Sequence, residues 1–195
     1  MGLSIFVCAA VSVRAQTTVE IDLQDQAAYL IQSGRVIFAT PIASGRYGHL
    51  TPTGSFKVLE KEHNHFSSMY GKIVDARGNT IVADADADMP VPRGAKFVPA
   101  PMRYFMRFSG ANGMHAGYLP GYPASHGCVR LPEEDAVAFF NTVNVGTPVT
   151  VFGRTPRSRS PQDFGSTAYR QRDRYIDPRF DPRFDPRWSG PWSWR

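Results

Sequence analysis

Between residues 17 and 153 the apolar residues come in short runs, broken repeatedly by turn-forming Gly and Pro, of which the chain has 17 and 16. That punctuation holds most elements to strand length and argues against a helical bundle. Residues 19–23 alternate apolar and polar, as a half-buried strand does. Residues 27–32 and 35–42 flank Ser33-Gly34 and predict a β-hairpin. Further strands are expected at 55–60, 72–75, 80–83, 102–108 and 148–152, with 61–70 read as a polar loop and 90–101 as a Pro-rich connection. One helix is expected from Pro132 to about Thr142, because Pro and three acids open it and Ala136, Val137, Phe139 and Phe140 share a face. The expectation is a mainly β, single-domain body at 16–153 with one main short helix.

The ends differ from that body. Residues 3–13 are apolar, too short to span a bilayer, and lead into Val13-Arg14-Ala15, which reads as a signal peptide over 1–15 and implies export to the periplasm or cell envelope. No apolar run is long enough for a transmembrane helix. Residues 154–195 hold ten of the 22 basic residues and five of the 17 acidic ones. The remaining chain therefore carries 12 of each, and the excess of +5 belongs to the tail alone. A neutral body argues against nucleic acid as its partner. The tail repeats Asp-Pro-Arg-aromatic three times between Asp177 and Trp188, a pattern that predicts disorder, with an anionic envelope polymer as the partner its Arg and aromatic residues suit.

Removal of the leader would also remove Cys8, leaving Cys128 as the one thiol. A lone Cys in an oxidising compartment is either buried and inert or present for its reactivity. Its neighbours favour reactivity. Met114 to Leu131 places His115, His126, Cys128 and Arg130 within sixteen residues, in a Gly-rich segment. A Cys nucleophile needs a base, which either His could supply, and N–H donors for an oxyanion, which the backbone freedom of Gly127 favours. Arg130 offers a fork for a substrate carboxylate. Together these residues read as a cysteine acyl-transfer site. A zinc site built from the same residues fits no usual ligand spacing. His63 and His65 are expected as exposed loop residues, and Asp84, Asp86 and Asp88 as solvent-facing acids on an edge strand or loop, since the calcium-loop Gly and Glu are missing.

Ser125-His126-Gly127-Cys128-Val129-Arg130, preceded by a His in a Gly/Pro-rich loop, resembles the signature of the L,D-transpeptidases, the YkuD-domain family of bacterial cell-wall enzymes. The segments 51–56, 67–71 and 145–149 also resemble parts of that domain. The resemblance implies a β-sandwich-like catalytic domain that needs no metal or organic cofactor. It implies Cys128 as nucleophile and His115 as base and acid, with Ala116 orienting the imidazole through its carbonyl. It implies Gly127 and Cys128 N–H groups at the oxyanion, and Ser125, His126 and Arg130 at the substrate. Tyr118 and Tyr122, in the same loop, are expected to line the groove. The implied reaction acts on peptidoglycan tetrapeptide stems, releases D-Ala, and passes the acyl group to an amine as a 3→3 crosslink or another attachment. An L,D-carboxypeptidase or crosslink hydrolase would share the acyl-enzyme, and a non-enzymatic cell-wall-binding protein is the alternative from a different class. Only nine residues separate His115 from Ser125, where many relatives have more, so the donor-site loop is expected to be short.

Overall fold

The computed structural model describes residues 16–157. The signal peptide expected at 1–15 and nearly all of the tail fall outside the described residues. Two five-stranded sheets face one another across a single core. In chain order the elements are β1 (Thr17–Asp22), β2 (Ala27–Gln32), β3 (Arg35–Pro41), β4 (Gly54–Lys57), β5 (Glu60–Val74), β6 (Thr80–Asp86), β7 (Lys96–Ser109), β8 (Asn112–Ala116), β9 (Val129–Leu131), α1 (Glu133–Thr142) and β10 (Pro148–Phe152). One sheet runs β3-β2-β1-β10-β4 and the other β6-β5-β7-β8-β9. The mainly β sandwich expected from the sequence is the fold observed.

Local chemistry explains several elements directly. The β2–β3 hairpin turns at Ser33 and Gly34 with φ of 51° and 74°, the left-handed pair whose twist matches the flanking strands. The helix buries Ala136, Val137, Phe139 and Phe140 as its pattern predicts, and Phe139 meets Phe38 of β3 edge-on at 5.9 Å. Of its three opening acids, Asp135 is fully buried and accepts a 2.6 Å hydrogen bond from Thr40 Oγ1, tying the first turn to β3. Phe105, Met106 and Phe108 lie in the interior, as expected of β7.

Three expectations are corrected. Residues 61–70 belong to β5 rather than to a loop, because Lys61 to Phe66 are laddered to β7, while β6 joins the other side only from Tyr70 to Val74. Ladder hydrogen bonds use the backbone, so a strand can carry polar side chains on faces open to solvent or a cavity. The register with β7 jumps between Phe66 and Gly71, so Ser67 to Tyr70 stand out as a bulge. Residues 96–101, read as connection, open β7. Pro99 and Pro101 are tolerated there because β7 pairs with β8 only from Met106 to Ser109, leaving the earlier stretch an open edge that needs no N–H donor. The strand expected at 55–60 is shorter, ending at Lys57.

Candidate active site

The segment that holds the candidate site residues sits at the end of the second sheet, on neighbouring strands. Strands β8 and β9 run parallel with Met114 opposite Val129 and His115 opposite Arg130, so His115 and the residues around Cys128 are held side by side. The 42–46 stretch after β3 clamps this segment from the other sheet. Ala43 exchanges both backbone hydrogen bonds with Arg130 at 3.0 Å, and Ser44 O accepts from Ala124 N and Ser125 N at 3.0 Å. Ser44 is in turn gripped by the buried Gln26, whose Nε2 donates to Ser44 Oγ at 2.8 Å and whose Oε1 accepts from Ser44 N at 3.0 Å.

His115, Ala116, Tyr118, Ser125, His126, Cys128 and Arg130 all line one cavity of about 460 Å³. Tyr122 lies outside its lining. The other wall comes from β5 and β7, including the Ser67–Tyr70 bulge, Met102 and Arg107. The sequence marks segments 51–56 and 67–71 only as resembling parts of the domain, with no role for their residues, and it does not single out Met102, Arg107 or Asn112 for the site, since only strand pairing brings them to the motif.

His115 Nδ1 lies 2.8 Å from Ala116 O, and a carbonyl only accepts, so Nδ1 carries the proton and Nε2 is the basic nitrogen. Burial lowers the pKa of this imidazole to about 4, with Arg130 and His65 adding to the effect and the Ala116 bond opposing it. Burial likewise pushes the Cys128 thiol up, opposed by a hydrogen bond from the Gly113 backbone and by the Arg130 and Arg107 charges. Imidazole and thiol are therefore both neutral at pH 7 in this resting arrangement. The thiol donates a long bond to Ala111 O at 3.8 Å.

The turn before Cys128 is tied from inside by Ser125. Its hydroxyl accepts from Gly127 N at 3.1 Å and donates to Cys128 O. The Gly127 N–H expected for an oxyanion is thus engaged with Ser125 here. Thr51 Oγ1 donates to Gly127 O at 2.9 Å and accepts from Gly45 N at 2.9 Å. Gly127 adopts φ of 118°, which L side chains rarely take, so the turn favours glycine, and a Cβ there would also displace Asn112 Oδ1, 2.4 Å away. Among the described residues no carboxylate pairs with Arg130, whereas Arg46, Arg103 and Arg107 pair with Asp84, Glu133 and Glu60. Gly117 leaves room for the Arg130 stem, which would lie 3.1 Å from a Cβ at that position.

His63 and His65, expected in a loop, stand on β5, where His65 stacks on Phe105 at 4.2 Å and bonds Glu62 at 3.0 Å. Asp84 and Asp86 lie on the edge strand β6, and Asp84 faces solvent as expected, yet it also reaches Arg46 and His126. Among the described residues no three His, Cys, Asp or Glu side chains converge as a metal-binding group, and no helix is long and apolar enough to cross a membrane.

This two-sheet fold with a Cys-His cavity at the β8–β9 edge defines a class. Residues 16–151 match the sequence model of the YkuD L,D-transpeptidase catalytic domain, and the chain belongs to that family. A probable L,D-transpeptidase 3 of Mycobacterium tuberculosis is 30% identical over 120 residues, covering 57% of this chain and 37% of the relative. An L,D-transpeptidase from Mycobacterium smegmatis superposes with a TM-score of 0.55 at 22% identity, over 71% of this chain and 59% of that one. The catalytic domain of the Enterococcus faecium L,D-transpeptidase does so with a TM-score of 0.51 at 25% identity, over 72% of this chain and all of that one. The chain thus spans less than two thirds of the mycobacterial relatives' own length.

Proposed function

We propose that the protein is an exported cysteine acyltransferase of peptidoglycan stem peptides, an L,D-transpeptidase working through Cys128. The observation that carries the reading is a single cavity lined by Cys128, by a His115 whose Nε2 is left basic, and by an Arg130 with no carboxylate of its own. Because thiol and imidazole both rest neutral, the proton moves as the bond forms. Nε2 of His115 takes the thiol proton while sulfur attacks the carbonyl of the third stem residue. The tetrahedral oxyanion faces the Cys128 N–H, and the Gly127 N–H reaches it by releasing Ser125 Oγ. Collapse breaks the amide bond to the terminal D-Ala, and the imidazolium returns its proton to the departing amine. The thioester then passes its acyl group to an acceptor amine, freeing the thiol. Arg130 is the natural partner for the donor's carboxylate, and Tyr118 and His126 flank the peptide.

The test is intact-mass and product analysis with a disaccharide-tetrapeptide, with Cys128→Ala alongside. A crosslinked dimer with loss of D-Ala, absent in the variant, is the expected result. Tripeptide alone would make water the acceptor and the enzyme a carboxypeptidase. Full activity in Cys128→Ala would overturn the mechanism.

A further inference from the structure

His126 is gripped by residues from three other parts of the chain. Tyr70, from the β5 bulge, stacks on its ring at 4.0 Å with a 21° tilt, and His49 meets it edge-on at 4.8 Å. Arg46 Nη1 lies 3.3 Å from Nδ1, and Asp84 Oδ1 on β6 lies 3.3 Å from Nε2. The second Asp84 oxygen lies 3.3 Å from Arg46 Nη2, so one carboxylate holds both partners. A guanidinium only donates and a carboxylate only accepts, so these contacts fit one tautomer, with the Nδ1 lone pair toward Arg46 and the Nε2 proton toward Asp84. It is the opposite tautomer to that of His115. Burial, Arg46 and His49 keep the ring from protonating, against the pull of Asp84 and Asp86.

We propose that Asp84 is a positioning residue for the acyl-transfer centre, holding Arg46 and the His126 Nε2–H together and so fixing the ring that leads into the Gly127–Cys128 turn. Ser125 ties that turn from within; the Asp84 grip ties it from the rim, across from one sheet to the other. The consequence for catalysis rests on the acyl-transfer reading above, whereas the consequence for His126 does not. Asp84 is 62% exposed on an edge strand, so truncating it opens no cavity, and exposed ion pairs add little to stability. A rate loss without a stability loss is what distinguishes positioning from scaffolding.

The experiment compares the full chain with Asp84→Ala and Asp84→Asn by three readouts: the two-bond ¹H–¹⁵N spectrum of His126 at neutral pH, the rate of acylation by imipenem followed by intact mass, and the thermal midpoint. The native protein should show His126 as a single tautomer with Nδ1 unprotonated. Asp84→Ala should show mixed tautomers, acylate about ten- to a hundredfold more slowly, and keep its midpoint. Asp84→Asn retains an acceptor for Nε2–H and should recover most of the rate. A native His126 spectrum or a native rate in Asp84→Ala would overturn the proposal, as would a rate loss matched by a fallen midpoint. Were the native protein itself inert to imipenem and to tetrapeptide, the transpeptidase reading would fall, and the His126 spectra would still decide whether Asp84 holds the ring.

Discussion

Acid should destabilise this domain through His115 in particular. The buried ring has a pKa of about 4 in place of 6.5, mainly because burial disfavours its charged form. Between those two values the unfolded chain binds a proton that the folded chain refuses, so stability is intact above pH 6.5 and falls as the pH drops toward 4. The difference of roughly 2.5 units corresponds to about 3 kcal/mol, of which about 2–3 kcal/mol is lost by pH 4.5. That is a large share of the 5–15 kcal/mol (roughly) typical of a domain. Urea unfolding of the native protein and of His115→Gln at pH 7 and 4.5 isolates the effect, since the other acid-titrating groups are common to both. The native protein should lose about 2–3 kcal/mol more than the variant on acidification. Parallel losses would mean that His115 is not held neutral by burial, and the proton-transfer scheme built on its resting state would go with it.

The same burial makes Cys128 alkylation by iodoacetamide continue to accelerate above pH 8, because the thiol is pushed up from its ordinary range; a plateau reached by neutral pH would reveal a preformed thiolate–imidazolium pair instead. Gly127→Ala forces a side chain onto a φ of 118° and into Asn112 Oδ1, and should slow imipenem acylation at a strain cost of about 1–3 kcal/mol, so an unchanged acylation rate would show that the turn geometry is not needed. Phe139→Ala empties a fully buried position against Phe38 and should cost about 3–5 kcal/mol in urea unfolding; a loss below 1 kcal/mol (roughly) would mean that the two sheets close over the gap.

Local chemistry made part of the molecule legible in advance. The β2–β3 hairpin, the helix and β10 are each written in contiguous residues, as turn type, first-turn acids and apolar pattern. So is the candidate site segment, since His115, Ser125, Gly127, Cys128 and Arg130 lie within sixteen residues and the resemblance of 125–130 to a family signature implies a role for each. The resemblance implies Ala116 O as the partner of His115, and it lies 2.8 Å from Nδ1.

The polar part of the long strand β5 was hidden, because its backbone pairing with β7 asks nothing of the side chains. Its bulge turns Tyr70 onto a histidine 56 positions later, and no periodicity records that. Arg46 and Asp84 were illegible for the same reason: one follows β3, the other sits on an edge strand, and they meet at His126 only once the two sheets are packed. By itself the sequence determined the order of the candidate reacting groups and their closeness along the chain. Which of the two histidines keeps a basic Nε2, and which groups hold the other in place, were decided by tertiary structure, because a proton's position depends on the donors and acceptors that folding brings to each nitrogen.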